Sequence, residues 1–202
     1  MVKSKRALLL IAIAFFMGLI GLSSCSSDET VTYVPLAQKT ATASSTGWGL
    51  YPEYVLSNEI GPFWHSARLT ESIEFFGIDQ HFLTLDLGGT YRVTRLVYQG
   101  RMDEWTNSVI TSYAIYTSLN ADGPFTRAAS GEWSGEHHGT EYANFDPVEA
   151  RFVRLVALAS TSYDENEVPN IVDASVPYHF VAGVSMMRIG VLGQDDFDEN
   201  YQ

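Results

Sequence analysis

Residues 57–66, S-N-E-I-G-P-F-W-H-S, place one histidine directly behind a turn. Gly61-Pro62 is typical of a turn, because proline fixes φ and glycine relaxes it. Phe63 and Trp64 then supply core-sized apolar surface, so His65 lies where a loop returns to a packed scaffold. A neutral imidazole donates one hydrogen bond and accepts another, which suits a polar ligand. Two interpretations stay open: His65 binds a ligand, or it only caps the loop.

Two other stretches carry aromatic or imidazole rings in polar surroundings. Trp105 lies within R-M-D-E-W-T-N-S, where a large ring is hard to bury, and this favours an exposed contact role. The pair His137-His138 invites a metal site. Adjacent side chains on a strand face opposite ways, so a metal shared by these two is disfavoured.

The sequence contains none of the motifs that would indicate an enzyme. H-E-x-x-H, G-x-S-x-G and a Gly-rich phosphate loop are absent. A glycosidase needs two positioned carboxylates in a cleft. Asp86 belongs to the strand motif L-D-L-G, and Asp103 and Glu104 are neighbours on one loop. We therefore predict a binding protein that is not an enzyme.

Apolar and polar residues alternate in several short segments that are separated by turn residues. These segments must position the candidate side chains named above. Examples are T-A-T-A-S-S (40–45), H-F-L-T-L-D-L (81–87), Y-R-V-T-R-L-V-Y (91–98), T-S-Y-A-I-Y-T-S (111–118) and A-R-F-V-R-L-V-A-L (150–158). Helical periodicity is absent, and Gly88-Gly89 predicts a tight hairpin. Many short strands must bury their faces sheet against sheet, which predicts an all-β sandwich.

The amino-terminal segment has the pattern of a signal peptide. Lys3, Lys5 and Arg6 precede an apolar run over residues 7–22 that is short for a membrane span. Ser23 and Ser24 before the sole cysteine, Cys25, resemble the bacterial lipobox. That resemblance implies a signal peptide at 1–24 and a lipid on Cys25 that anchors the protein. An ordinary signal peptide with an incidental cysteine is the alternative.

Charge and composition predict the location of the protein, the partners that are not expected, and the bounds of its domain. The acidic residues that follow Cys25 resemble the surface-export signal of Bacteroidetes lipoproteins, which predicts an outer-membrane protein exposed at the cell surface. Cleavage before Cys25 moves the net charge from -12 to about -15, so nucleic acid is not an expected partner. We predict a polar tether at 25–35, one domain at 36–193 and an acidic tail at 194–202.

An ordered set of motifs carries a family resemblance. T-A-T-A-S-S, F-W-H-S, L-T-L-D-L-G-G-T-Y-R-V, Y-Q-G-R, Y-A-I-Y-T-S, A-R-F-V-R-L-V-A-L and a closing V-L-G follow one another in the chain. Together they resemble the coagulation-factor type C (discoidin-like) domain, in particular its bacterial branch, carbohydrate-binding module family 32. The resemblance implies a jelly-roll sandwich of about eight main antiparallel strands, galactose-binding-domain-like, that binds glycans through loops at one end.

The same resemblance implies a sugar site at His65, Arg101 and Asn107. Arginine can give two parallel N–H bonds to neighbouring hydroxyls, and asparagine can donate and accept at once, which suits galactose. Arg68 stands where the family often has an aromatic, so Trp105 or Trp48 is expected to stack on the sugar instead. This departure predicts weak binding of a lone galactose and better binding of a longer or acidic glycan.

The family's calcium loop is altered in this chain. Ser57 and Pro62 replace two expected ligands, Glu59 remains, and Arg188 stands where a glutamate is usual. Calcium requires several oxygen ligands with carboxylates among them, so we predict no cofactor and disfavour calcium. An ion pair between Glu59 and Arg188 is the expected replacement.

The predicted function is therefore a lipid-anchored, non-catalytic glycan-binding module, with a glycan-uptake system as the candidate protein partner. The alternative is an adhesion or assembly protein that binds a protein partner through the same loops. A narrow polar pocket favours a sugar, whereas a broad apolar patch favours a protein. The long connection at 160–179 is expected to lie against the sandwich and to border the binding end.

Overall fold

The computed structural model describes residues 30–35, 39–57, 61–67, 81–163, 169–173 and 181–193. One short 3-10 helix, Pro52–Leu56, accompanies the strands in these ranges. The described strands are Val31–Tyr33 (β1), Thr40–Ala43 (β2), Trp64–His65 (β3), Phe82–Gln99 (β4), Ile110–Ser118 (β5), Thr126–Glu132 (β6), Thr140–Tyr163 (β7), Pro169–Asp173 (β8), Gly183–Val184 (β9) and Met186–Leu192 (β10). The prediction of an all-β fold is confirmed.

The long strands β4 and β7 form the centre of the main antiparallel sheet. Its order within the described residues is β1-β10-β4-β7-β5-β6, with β2 added to β4 and β8 added to β7. The first residues of β4 pair with β2, and residues 92–99 pair with β10. Side chains from both halves of β4 meet in one hydrophobic cluster, so the two halves enclose a common core as a sandwich.

Gly88-Gly89 does not form the predicted hairpin, which is a correction to the sequence analysis. β4 continues through both glycines, and β7 pairs with it on either side of them. The register moves from Asp86 opposite Phe152 to Tyr91 opposite Ala150, so residues 87–90 form a bulge. Gly88 takes a φ of 77°, which glycine adopts without steric cost.

The fold begins earlier than the predicted domain start at residue 36. β1 pairs with β10, and both Thr32 and Val34 are buried. Alternating side chains in V-T-Y-V face the core and the surface in turn, so this segment is a strand where a tether had been expected. Residues 1–29 and 194–202, which include the predicted signal peptide, Cys25 and the acidic tail, lie outside the described residues. None of the described helical structure is long and apolar enough to cross a membrane.

The connection at 160–179 begins as a β-hairpin arm. β8 pairs with the end of β7, from Ala159 opposite Asp173 to Tyr163 opposite Pro169. Ile171 is exposed, whereas Val172 packs against the core cluster, so this arm contacts the sandwich through Val172. Residues 164–168 and 174–179 of this connection lie outside the described residues.

An aromatic stack beneath one end of the sandwich supports the loops there. Trp133 lies between Tyr98 and Tyr113, with ring centroids 4.6 Å and 4.0 Å apart and near-parallel planes. The buried Tyr98 hydroxyl donates to the carbonyl of Gly183 at 3.1 Å and accepts from the backbone N–H of Ile110 at 2.9 Å. Burial raises the pKa of Tyr98, so its hydroxyl stays protonated and holds both chain segments together.

Candidate functional site

Loops at this end of the sandwich enclose a hollow of about 340 Å³. β3 carries His65 and pairs with β9, and the chain leaves β4 just before Arg101. Five of the side chains predicted from the sequence converge there, together with two apolar residues that the prediction had not included. The lining residues are Trp48, Leu50, Phe63, His65, Arg101, Trp105 and Asn107. Arg68, the sixth predicted residue, lies outside the described residues.

His65 lines the hollow with its ring and bonds inward through its nitrogens. It is only 2% exposed. Its Nδ1 lies 2.7 Å from the carbonyl oxygen of Ser66, which can only accept, so Nδ1 carries the proton. Nε2 then accepts from the hydroxyl of Ser108 at 3.0 Å. The two nitrogens therefore fix the ring in place instead of presenting the free donor and acceptor that the sequence analysis assigned to a sugar.

Arg101 lies at the floor of the hollow in a network of short hydrogen bonds. Its Nε and Nη2 donate to the two carboxylate oxygens of Asp103 at 2.6 Å and 2.7 Å. Its Nη1 donates to the side-chain oxygen of Asn107 at 2.6 Å. The guanidinium carbon is 4.8 Å from the ring centre of Phe63, a cation–π contact. The arginine is therefore held rigidly before any ligand arrives.

Asp103 cancels the charge of Arg101. Burial works to raise the pKa of Asp103, but the hydrogen bonds and the positive charge of Arg101 outweigh it and hold that pKa below its usual value. The pair consequently stays ionised at neutral pH and presents no net charge to the hollow. Each terminal nitrogen of a guanidinium carries two N–H groups, and only one N–H of Nη2 has an acceptor among the described residues, Asp103.

Two tryptophans border the hollow and expose large ring surface. Trp48 is 71% exposed and meets the ring of His65 edge-on at 4.8 Å. Trp105 is 52% exposed. Exposed indole rings are apolar plates, and the apolar face of a sugar ring stacks on such plates. The hollow thus combines polar donors on its floor with apolar walls.

Backbone strain is concentrated at this same end. Among the described non-glycine residues, positive φ occurs at Trp48 (50°), Ser108 (67°) and His138 (65°). Trp48 borders the hollow, Ser108 fixes His65, and His138 Nε2–H donates to the carbonyl of Asp103 at 2.8 Å. Such strain persists only where surrounding contacts enforce it, and it is enriched at functional sites.

The loop that carries Asn107 is fastened to the start of the 160–179 connection. The Thr161 hydroxyl donates to the carbonyl of Thr106 at 2.8 Å and accepts from the N–H of Val109 at 3.1 Å. The Ser108 N–H donates to the Thr161 carbonyl. The connection therefore contacts the loop that carries Asn107 through its first residues.

The altered calcium loop contains a buried guanidinium. Arg188 donates to the carbonyls of Val55 at 3.0 Å and Ser57 at 3.1 Å, oxygens of the kind that a bound cation would use. Glu59, its expected ion-pair partner, lies outside the described residues, and the side chain of Pro62 has no oxygen with which to hold a cation. Within the described residues no group of three or more metal-ligating side chains is found. The positive charge of Arg188 opposes a divalent cation here.

Lys39 is a second buried cation near Arg188. It is 5% exposed, and its Nζ has no hydrogen-bond partner within the described residues. Burial, with the charge of Arg188, lowers the pKa of Lys39 from 10.5 to about 7. The unfolded chain therefore binds more protons than the folded chain between about pH 7 and 10.5, so this group makes stability rise with pH in that window.

Replacing Lys39 with methionine is expected to stabilise the fold at low pH. Lys39→Met should add about 1–3 kcal/mol to the free energy of unfolding at pH 6, because an unpaired buried cation is removed. The gain should shrink as the pH rises towards 10, where the native lysine is neutral when folded. Urea unfolding of both proteins at pH 6, 8 and 10 measures this, and a gain that does not change with pH would contradict it.

The family model described as F5/8 type C domain matches residues 38–172 of this sequence. The chain belongs to the F5/8 type C domain family. The matched range of this F5/8 type C domain includes all seven residues that line the hollow. The resemblance predicted from the sequence motifs is thereby confirmed.

Individual relatives agree with the family and with the fold. A sialidase of Micromonospora viridifaciens is 34% identical over 108 residues, which cover 52% of this chain and 16% of the sialidase. Two solved family 32 carbohydrate-binding modules of Clostridium perfringens are each 20% identical to this chain. One, in complex with GalNAc-β-1,3-galactose, has a TM-score of 0.59 and is matched over 78% of this chain and 99% of its own. The other, in complex with galactose, has a TM-score of 0.58 over 80% and 99%. The antiparallel β-sandwich of the F5/8 type C domain is the shared feature.

Proposed function

We propose that the loop end of this F5/8 type C domain binds a glycan without catalysis. The observation that carries the proposal is a single hollow with Arg101 and Asn107 on its floor and exposed Trp48 and Trp105 beside it. The side-chain oxygen of Asn107 accepts from Arg101, which directs its NH₂ group, with two N–H donors, to other acceptors. Together with the second N–H of Arg101 Nη2, these donors suit neighbouring hydroxyls of a pyranose.

A neutral sugar of the galactose type fits this site best. Asp103 cancels the charge of Arg101, so the described lining of the loop-end hollow offers no net positive charge to an acidic glycan. Arg68, on which the expected acidic glycan depended, lies outside the described residues. The two bacterial modules of similar fold were solved with galactose and with GalNAc-β-1,3-galactose, which supports the same sugar class here. His65 positions the wall of the hollow through Ser66 and Ser108.

Calorimetric titration tests the proposal with two sugars that differ only in the configuration at carbon C4. Methyl β-galactoside is expected to bind, with weak affinity, and the C4 epimer methyl β-glucoside is expected to bind at least about 10-fold more weakly. The reason is that only the axial hydroxyl brings two adjacent oxygens within reach of the same donors. Equal affinity for the two sugars would contradict galactose-type recognition, and no binding of either would contradict a sugar site.

A protein partner is the second candidate. Trp48 and Trp105 are exposed where they line the hollow, Tyr51 is exposed next to the lining residue Leu50 in the sequence, and exposed aromatic rings are enriched at protein interfaces. In the titration above, absence of sugar binding together with a specific protein ligand at these rings would favour this candidate.

We further propose that a lipid on Cys25 anchors the protein to the outer membrane at the cell surface. The support is the apolar segment over residues 7–22 and the small residues before the sole cysteine. Such placement suits a module that collects glycans for an uptake system.

Replacing the thiol of Cys25 tests the anchor. Cys25→Ser should abolish incorporation of radiolabelled fatty acid and move the protein from the membrane fraction to the soluble fraction, because acylation needs the thiol. Ser27→Ala, two residues away, serves as the matched control and should leave labelling unchanged. Membrane association that survives Cys25→Ser would exclude lipid anchoring at this residue.

A further inference from the structure

A second hollow of about 270 Å³ lies on the outer face of the main sheet. The strand register shows which face this is. Leu96, Tyr98 and Met187 belong to the core, so residues that alternate with them along β4 and β10 face away from it. Four strands, β1, β4, β7 and β10, contribute the lining residues, which are Tyr33, Val97, Gln99, Thr140, Tyr142, Met186 and Arg188.

The lining of this outer-face hollow offers apolar surface for the apolar face of a sugar ring and polar groups for its hydroxyls. Val97 and Met186 supply apolar surface, and Tyr142, opposite Val97 in the register, is 54% exposed. Gln99 and Thr140 lie opposite each other, with the amide nitrogen of Gln99 donating to the Thr140 hydroxyl at 3.4 Å. An exposed phenol ring next to an amide and a hydroxyl can stack on a pyranose and bond its hydroxyls.

Positive charge distinguishes the outer-face hollow from the loop-end site. Arg95 donates to the side-chain oxygen of Asn144 at 2.6 Å and to the Tyr33 hydroxyl at 3.4 Å. Its guanidinium carbon is 5.8 Å from the ring centre of Tyr142. These partners are all neutral, and the ion pairs found within the described residues do not include Arg95. Arg95 does not itself line the hollow, but it contacts Tyr33 and Tyr142, which do, and Arg188 adds a second positive charge to the lining.

We propose that the outer-face hollow binds a sugar that carries a carboxylate, a hexuronate. The pyranose ring packs against Tyr142, its hydroxyls meet Gln99 and Thr140, and its carboxylate is held by the charge of Arg95. The volume of about 270 Å³ is close to the roughly 300 Å³ at which ligand pockets usually begin, which suits one sugar unit. The chain as a whole is strongly acidic, with a formal net charge of -12, so a local cationic site is needed to attract an anion.

Calorimetric titration of the purified protein with methyl β-glucuronide tests the site. Methyl β-glucoside is the matched ligand, because it differs only in having CH₂OH in place of the carboxylate. The glucuronide is expected to bind at least about 10-fold more tightly than the glucoside, and added salt should weaken its binding. Equal affinity for the two ligands, or no detectable glucuronide binding, would overturn the proposal.

Variants locate the binding and separate it from the loop-end site. Tyr142→Ala and Arg95→Gln should each weaken glucuronide binding at least about 10-fold. Leu119→Ala, at an exposed apolar position elsewhere, is the control and should change nothing. Glucuronide binding that is lost in Arg101→Ala and retained in Tyr142→Ala would place the acidic sugar at the loop end and overturn the proposal. Thermal melts show whether each variant is folded, and Tyr142→Phe, which keeps the ring, should retain binding.

Discussion

Arg101→Ala should weaken galactoside binding by about 10- to 150-fold, since a charge-assisted contact contributes about 1.5–3 kcal/mol. The arginine is held at three nitrogens before the ligand binds, by Asp103 and by Asn107. Its removal deletes a donor to the sugar and also frees the Asn107 amide from the orientation that Arg101 enforces. Calorimetric titration of native protein and variant with methyl β-galactoside measures the loss.

A more conservative variant separates the charge from the geometry of Arg101. Lysine keeps the positive charge but cannot bond both oxygens of Asp103 in one plane, so Arg101→Lys should lose nearly as much affinity as the alanine variant. Leu119→Ala, at an exposed position that does not line the hollow, is the control variant and should bind the galactoside as the native protein does. Unchanged affinity in Arg101→Ala, with an unchanged melting temperature, would show that the floor of the loop-end hollow does not contact the sugar.

Trp133→Ala should reduce the free energy of unfolding by about 3–5 kcal/mol, the usual cost of removing a large buried aromatic side chain. Trp133 is buried between Tyr98 and Tyr113, and its backbone N–H donates to the carbonyl of Thr111 at 2.8 Å. The cavity left behind would also loosen Tyr98, whose hydroxyl joins Ile110 to Gly183 below the binding loops.

Urea unfolding of Trp133→Ala and Trp133→Phe measures this effect. The phenylalanine variant retains stacking with both tyrosines and should lose clearly less stability than the alanine variant. Equal and small losses, below about 1 kcal/mol for both, would mean that the stack adds little to the fold.

The fold class could be predicted from the sequence because strand alternation is a local signal. The segments at 81–87, 91–98 and 150–158 all occur within β4 and β7, except for His81, which directly precedes β4. The Gly88-Gly89 hairpin could not be distinguished from a bulge in the same way. What decides between them is β7, which is distant in sequence and pairs with β4 on both sides of the glycines. Arg151 then bonds both carboxylate oxygens of Asp86 beside the bulge.

The members of the loop-end site followed from family motifs, whereas their contacts did not. Asp103 was considered only as half of a catalytic pair, yet it holds Arg101 and removes its charge. Ser108 was not singled out, because a buried serine at positive φ has no signature in a single sequence. The spacing R-M-D, an acid two residues after the arginine, is the one local feature that could have indicated the ion pair.

The partners of Arg188 in the altered calcium loop could not be predicted from the sequence either. The substitution by Arg188 was evident from the sequence, and it disfavoured calcium through charge. Its main described partners, however, are the backbone carbonyls of Val55 and Ser57. Backbone oxygens belong to every residue, so no side-chain pattern could identify them as the partners.

The most direct test of glycan binding at the loop end uses the four tryptophans as internal reporters. Trp48 and Trp105 border the hollow, whereas Trp64 and Trp133 are buried. In a galactoside titration followed by NMR of the indole N–H signals, we expect those of Trp48 and Trp105 to shift and saturate together. The signal of Trp133 should stay fixed. Saturable binding that leaves both exposed tryptophans unshifted, or no saturable binding, would contradict the account.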